Sequence, residues 1–200
     1  GRVWTSDGNG AGAWVASTAA SELGGLSDAL IETNSMYIGN DPSSTTSTAE
    51  YNLAVGTTAL DAVTTGDKNT AMGYNALTAN TTGSWNVAFG TYSLKANTTG
   101  NQNTASGVQS LYNNTTGNYN MASGSYSLRN NTTGDYNTAS GDYSLFANTT
   151  GDNNTTLGYQ AGDVITTGSN NVVLGYASDL SANSASNQIV IGYGATGQAD

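Results

Sequence analysis

The sequence contains neither cysteine nor histidine, and among its 200 residues it has one proline and four basic side chains. Without cysteine there is no disulfide framework, and without both residue types thiolate and imidazole metal sites are excluded. Four basic residues, Arg2, Lys68, Lys95 and Arg129, cannot neutralise a run of phosphates, so nucleic acid is excluded as a partner. No apolar run approaches the roughly 20 residues of a membrane helix, so we expect no membrane insertion.

The composition is also poor in the residues that carry catalysis. Charged side chains make up 9% of the chain, the formal net charge is −10, and the carboxylates are scattered without a paired constellation. Nucleophile–base pairs with histidine or cysteine cannot form. We therefore predict a protein that is not an enzyme, with no catalytic residue, no cofactor and no bound metal.

What the chain has instead is a repeat with a period of 17 residues. Its marker is a glycine that recurs without insertion or deletion, and a fixed period is typical of a stacked solenoid. The glycines are Gly39, Gly56, Gly73, Gly90, Gly107, Gly124, Gly141, Gly158, Gly175 and Gly192.

Other positions of the repeat are nearly as regular. Asparagine stands four residues before most of the glycines, alanine two before, leucine four after, and Thr-Thr-Gly closes seven copies. Alternation in segments such as Asn86-Val-Ala-Phe-Gly90 indicates a strand, and glycine with Asn or Asp favours turns. The pattern predicts an all-β fold, a parallel β-roll of stacked 17-residue coils, with a second short strand through the leucine positions.

The interior of such coils is thin, because alanine and leucine alone would fill it. One chain then buries little apolar area against the entropy of ordering, so we expect association with further copies of itself. The column just before each glycine supplies a partly apolar face, with Val55, Met72, Phe89, Leu157, Leu174 and Ile191, and with serine in the middle copies.

The repeat defines the expected domain organisation. Residues 1–16 read as a β-hairpin element with a Gly-rich turn, residues 17–33 as a linker or short helix, and residues 34–200 as ten β-roll repeats of which the last is incomplete.

Two motifs have a functional and a structural interpretation. Five Asn-Thr-Thr triplets, beginning at Asn80, Asn97, Asn114, Asn131 and Asn148, match the N-glycosylation pattern, but their recurrence with the repeat favours turn chemistry. Gly-Asp pairs such as Gly134-Asp135 resemble those of calcium-binding β-rolls. Serine or asparagine fills the same column in other copies, which favours a turn over a metal.

Aromatic side chains fall mostly in variable columns of the repeat, where packing within the sheet or between chains is favoured over ligand binding. The most variable column holds Asp61, Thr78, Lys95, Tyr112, Arg129, Phe146 and Asp163. A buried ladder cannot accept Lys, Phe and Asp in turn without a cost of about several kcal/mol, so this column is expected to face solvent. Tyr112, Arg129 and Phe146 are therefore the candidate surface contacts.

Asn86-Val-Ala-Phe-Gly90 and Asn171-Val-Val-Leu-Gly175 resemble the repeat motif in the heads of YadA-type trimeric autotransporter adhesins. The longer unit at Asn69–Gly83 is similar to repeats of phage tail fibres, and Val3–Trp14 resembles a hairpin element common in such fibres. This resemblance covers residues 34–200. It implies a left-handed parallel β-roll, a homotrimer about the fibre axis, and a role in host attachment.

These observations leave two main hypotheses for the function. The first is a structural segment of a trimeric phage tail fibre or spike in the virion, which spaces or presents a host-attachment tip. The alternative is a trimeric adhesin head at the bacterial surface whose roll binds its target directly. Besides itself, the expected partner is a host cell-surface glycan or protein. An ice-binding solenoid is disfavoured, because the adjacent threonines at the turn point in different directions.

Overall fold

The computed structural model describes residues 2–6, 12–16, 29–32, 34–39 and 48–198. No helix occurs among these residues, so the predicted all-β class is confirmed. The strands are β1 (Arg2–Ser6), β2 (Gly12–Ala16), β3 (Ala29–Glu32), β4 (Ser35–Ile38), β5 (Leu53–Val55), β6 (Thr70–Met72), β7 (Val87–Phe89), β8 (Thr104–Ser106), β9 (Met121–Ser123), β10 (Thr138–Ser140), β11 (Thr155–Leu157), β12 (Val172–Leu174) and β13 (Ile189–Ile191).

Strands β4 to β13 form one continuous parallel sheet in sequence order. Neighbouring strands are offset by one repeat, so that Ala54 pairs with Ala71 and Ala71 with Ala88. Each of the ten glycines of the repeat directly follows one of these strands. The predicted parallel solenoid of stacked 17-residue coils is confirmed.

The segment before the solenoid contains two antiparallel pairings. β1 pairs with β2, with Trp4 opposite Trp14, inside the predicted hairpin element 1–16. β3 pairs with β4, with Ile31 opposite Met36, and so adds an antiparallel strand to the edge of the large sheet. Residues 7–11, 17–28 and 33 lie outside the described residues, so of the predicted linker or helix 17–33 the structure describes only β3.

The prediction of a second strand through the leucine positions is wrong, because the structure has no strand there. Leu60, Leu77, Leu94, Leu111, Leu128 and Leu145 all have positive φ, between 49° and 55°. The residue two positions earlier also has positive φ in every one of these coils, so the segment turns instead of extending. Backbone bonding between coils continues through it, as in Leu60 N to Ala76 O at 3.0 Å.

Burial of the leucine side chains offsets the free-energy cost of this backbone conformation. A left-handed residue costs about 1–2 kcal/mol, whereas burying a leucine side chain contributes about 1.5–3 kcal/mol. Each of the six side chains is fully buried. The turn therefore points an apolar group into the interior where an extended segment would alternate faces.

The glycine of the repeat is required by space as well as by conformation. From Gly56 to Gly192 its φ lies between 131° and 146° wherever the period places it. A Cβ built on Gly90 would lie 2.6 Å from the carbonyl oxygen of Gly107 in the next coil. Because the obstacle is backbone, it cannot move aside, and the coils stack closely only with glycine at this position.

Candidate functional site

The interior of the solenoid is as much polar as apolar. Between the alanine and leucine columns run two columns of fully buried asparagine. In the first, Oδ1 of Asn52 accepts from the backbone N of Asn69 at 2.8 Å, and Nδ2 of Asn52 donates to the carbonyl of Gly66 at 2.8 Å. The same pair of bonds recurs up to Asn171, so each asparagine joins its own coil to the next.

The second asparagine column consists of the Asn-Thr-Thr residues Asn80, Asn97, Asn114, Asn131 and Asn148. Nδ2 of Asn97 donates to Oδ1 of Asn80 at 2.8 Å and to the carbonyl of Gly100 at 3.0 Å. From Asn97 onward this side-chain nitrogen is buried and bonded twice, so it is not available for glycosylation in the folded chain. Sequence reasoning identified the turn but missed this ladder.

This second ladder has a direction and two ends. Val63 and Ile165 occupy the column before Asn80 and after Asn148, and both are fully buried. Each amide donates backward along the chain, so the last oxygen, Oδ1 of Asn148, is buried without a hydrogen-bond partner. The ladder is therefore satisfied inside and incomplete at its final member.

A third polar column follows the Thr-Thr-Gly turn. Oδ1 of Asp135 accepts from the backbone N of Asn118 at 2.6 Å, and Oγ of Ser169 accepts from Asp152 N at 3.0 Å. Asp, Asn and Ser are interchangeable in this column because each offers one acceptor oxygen. Among the described residues, no group of three metal-ligating side chains occurs.

The three candidate contact residues lie together on the surface. The guanidinium carbon of Arg129 lies 5.1 Å from the ring centre of Tyr112 and 5.9 Å from that of Phe146. Arg129 Nε donates to Oε1 of Gln109 at 2.8 Å, and Nη1 donates to Oδ1 of Asn130 at 3.2 Å. The column faces outward, but its members are half-buried because they cover one another.

Lys95 and two further tyrosines extend this group. Lys95 Nζ donates to the hydroxyl of Tyr112 at 3.1 Å and lies 5.3 Å from the ring centre of Tyr92. At the other end the rings of Tyr143 and Phe146 lie 5.5 Å apart. We call the six residues Tyr92, Lys95, Tyr112, Arg129, Tyr143 and Phe146 the aromatic–cation strip. The sequence places Lys95 in the same variable column as the three candidates, but it did not single out Lys95, Tyr92 or Tyr143 as contact residues.

A second aromatic column lies five residues before each glycine. Lys68 Nζ lies 4.2 Å from the ring centre of Trp85, and the rings of Tyr119 and Tyr136 stack at 4.8 Å with an interplanar angle of 4°. These four residues and Tyr51, which shares their column, have exposed side chains and positive φ. Stacking of neighbours along the rod is therefore their main contact.

The outward face of the parallel sheet carries no charge. It is formed by the residues one and three before each glycine in β4 to β13, and we call it the outer sheet face. Large apolar members are exposed near both ends, whereas Ser and Thr prevail in β8 to β10. The exposed apolar members are Met36, Met72, Phe89, Met121, Leu157, Ile189 and Ile191.

One pair of carboxyl groups is electrostatically unusual. Burial, and next the negative charge and hydrogen bond of Asp179, raise the pKa of Asp163 above its ordinary value of 3.8. Burial raises the pKa of Asp179 too, although hydrogen bonds from the Val164 and Asp163 backbone and from the Asp163 side chain act in the opposite direction. The pair therefore binds a proton more readily than separate aspartates.

The geometry defines the class of molecule, a parallel β-solenoid repeat protein with internal polar ladders. Over the described residues, no helix is long and apolar enough to span a membrane. Comparison of the chain with protein-family models, with curated proteins and with solved structures gives no match.

Proposed function

We propose that this chain is a structural fibre segment of a trimeric phage tail fibre or spike, which spaces or presents a host-attachment tip. The observation that carries the proposal is the continuous parallel sheet of β4 to β13 with its through-running asparagine ladders. Coils stacked at about 4.8 Å make a rod on the order of 45 Å long. Every coil is bonded to the next on all sides, which suits a stiff spacer.

The trimer rests on the outer sheet face. An uncharged face with exposed Phe89, Leu157 and Ile191 is costly in water, and contiguous exposed apolar surface marks an interaction site. Identical chains in register would bring Phe89 against Phe89 and the serine-rich middle against itself. Three chains about one axis, with left-handed coils, is the arrangement that the resemblance to trimeric adhesin heads and tail fibres implies.

The absence of catalytic function is part of the same proposal. The buried asparagine nitrogens donate to oxygens within the stacked coils, as Asn86 Nδ2 does to the carbonyl of Gly100 at 2.8 Å, and so serve stacking. The two aspartates with raised pKa values stand at ordinary positions of the repeat. Asp179 stands in the leucine column, and Asp163 stands in the most variable column. We assign them no chemistry and place the protein in the virion.

The second candidate function is a bacterial surface adhesin head that binds its target through the roll. The aromatic–cation strip favours it, because rings and cations together on an outward column are suited to recognition.

Removal of the tip separates the two functions, and removal of one coil tests the spacer by itself. In the complete fibre, deletion of residues 57–73 joins Gly56 to Tyr74 in register and leaves the aromatic–cation strip intact. A spacer with one coil fewer still attaches to host cells in an adsorption assay, and a tip variant abolishes attachment. Retention of attachment after removal of every other domain of the fibre would instead assign binding to the roll.

A further inference from the structure

We propose that the aromatic–cation strip is a binding site for carboxylated saccharides, with Lys95 and Arg129 as the groups that bind two carboxylates of one chain. The inference names a partner class for the proposed attachment fibre and in that sense rests on it. Its test is a binding measurement that does not depend on attachment or on the number of chains.

The two cations are not neutralised by their neighbours. Lys95 donates to a phenol, and Arg129 donates to the amide oxygens of Gln109 and Asn130. In the adjoining column the carboxylate of Asp142 accepts the backbone N–H of Ser125 at 2.8 Å. An ammonium has three N–H donors and a guanidinium five, so two remain on Lys95 and three on Arg129. These donors fit a carboxylate, which arginine binds in a forked geometry.

The surroundings make this strip distinct on an acidic molecule. The chain carries a formal net charge of −10 with four basic residues in all, and two of these lie in this one column. At physiological salt, charges more than about 8 Å away are largely screened. The carboxylates of the same column, Asp61 and Asp163, stand two coils, or about 10 Å, beyond Lys95 and Arg129. An anion between the two cations therefore experiences Lys95 and Arg129 more strongly than these carboxylates.

The spacing along the rod favours a polymer over a single anion. Lys95 and Arg129 stand two coils apart, with Tyr112 between them, and two coils advance about 10 Å. This is comparable with the advance of two sugar units in an extended polysaccharide. Lys95 Nζ lies 5.2 Å and the guanidinium carbon of Arg129 lies 5.1 Å from the Tyr112 ring centre, so the two charges are no farther apart than this advance. Carboxylates on neighbouring or alternate sugars would then meet both cations.

Within the strip, Tyr92 and Phe146 make no flat stack with any described residue, whereas Tyr143 stacks on Tyr126 at 4.9 Å with an interplanar angle of 17°. Tyr143 and Phe146 are tilted by 44°, and Tyr92 and Tyr112 by 71°, whereas Tyr119 and Tyr136 on the other column lie flat against each other. Flat stacking covers ring faces, but tilted pairs keep them accessible to the C–H groups of a pyranose. The tilted rings of Tyr92 and Phe146 beside the two unneutralised cations point to an acidic saccharide.

The test uses oligogalacturonate as the probe and its methyl ester as the matched neutral ligand, with binding measured by calorimetry on the folded chain. We expect the free acid to bind at least about tenfold more tightly than the ester, and added salt to weaken it. The variant K95T/R129T should lose at least about tenfold in affinity. Thr78 occupies the same column, so the coil accepts threonine. The control K68Q removes a lysine from the other column, where Gln102 stands, and should bind within about twofold of the unmodified chain.

Equal binding of acid and ester, or equal binding of K95T/R129T and the unmodified chain, overturns the proposal. So does a loss of association between chains in K95T/R129T without any saccharide binding, because the strip is then an interface between copies. Should the double variant fail to fold by its urea midpoint, the ester comparison on the unmodified chain decides alone. A loss of association would also move the contact between chains from the outer sheet face to the strip, whereas the other outcomes leave the fibre proposal to its own tests, the coil deletion and the chain number.

Discussion

Nδ2 of Asn131 donates a 2.8 Å hydrogen bond to Oδ1 of Asn114, its counterpart one coil earlier. Both side chains are fully buried, so each depends on the other to satisfy a polar atom that has no access to water. A column of such pairs transmits register from coil to coil. The stability of the solenoid should therefore depend on where in the column an asparagine is lost.

We expect the same substitution to differ between the middle and the end of this ladder. Asn114→Ile leaves Oδ1 of Asn97 and one N–H of Asn131 unpaired, whereas Asn148→Ile only moves an existing unpaired oxygen to Asn131. Each orphaned buried group costs about 1–3 kcal/mol, so Asn114→Ile should lower the free energy of unfolding by about 2–6 kcal/mol more than Asn148→Ile does. Urea denaturation measures both. Equal losses would show that the ladder contributes no directional stabilisation.

The repeat glycine gives a second test with a control in the same chain. Gly73→Ala places a Cβ 2.7 Å from the backbone of Gly90 at a φ of 137°, and we expect a loss of more than about 3 kcal/mol in unfolding free energy. Gly194→Ala meets nothing within 4 Å at a φ of 57°, and should cost about 1–2 kcal/mol. Thermal unfolding followed by circular dichroism compares the two. A mild effect at Gly73 would mean that the coils are less closely stacked.

The carboxyl pair makes the C-terminal coils sensitive to pH. The folded pKa values of Asp163 and Asp179 are raised above 3.8, so the folded chain binds protons at a pH where the unfolded chain has released them. Stability from this pair is therefore full below about pH 3.8 and is lost as pH rises through the folded pKa values. Asp179→Asn removes the mutual repulsion of the two carboxylates. Between pH 4 and 7 the urea midpoint of unfolding should therefore fall less in this variant than in the unmodified chain. Identical pH profiles for the variant and the unmodified chain would contradict the assignment.

The outer sheet face can be altered without disturbing the coil. Met72→Ser and Phe89→Ser place serine where Ser106 and Ser123 already stand, so each coil should fold, but association between chains should weaken by about tenfold or more. Tyr119→Gln, on the other column, is the control because Gln102 shares its position. Sedimentation velocity over a range of concentrations measures the association. Unchanged association in the double variant would place the interface elsewhere.

The sequence predicted the stacking of coils because the glycine column allows one register only. Strand pairing such as Ala105 with Ala122 follows from that period alone. The conformation of Leu111 could not be predicted in the same way. Positive φ is unfavourable for leucine, and the burial that offsets its cost exists only once the coils have stacked.

The surface was predicted in part. The period places Tyr112, Arg129 and Phe146 on successive coils, and this adjacency follows from the sequence. The bridge from Lys95 to the Tyr112 hydroxyl depends on side-chain rotamers, which the repeat does not specify. The ladder of Asn97 and Asn114 was missed because the Asn-Thr-Thr triplet has a sufficient local interpretation as a turn, and nothing local shows that the amide points inward.

The number of chains in the assembled protein is the most direct test of the proposed trimeric fibre. Multi-angle light scattering on the intact protein, without denaturant and across a tenfold range of concentration, gives its mass in solution. We expect a mass three times that of one chain, in which residues 1–200 account for 20.3 kDa per copy. A stable single chain with its outer sheet face exposed to water would contradict it.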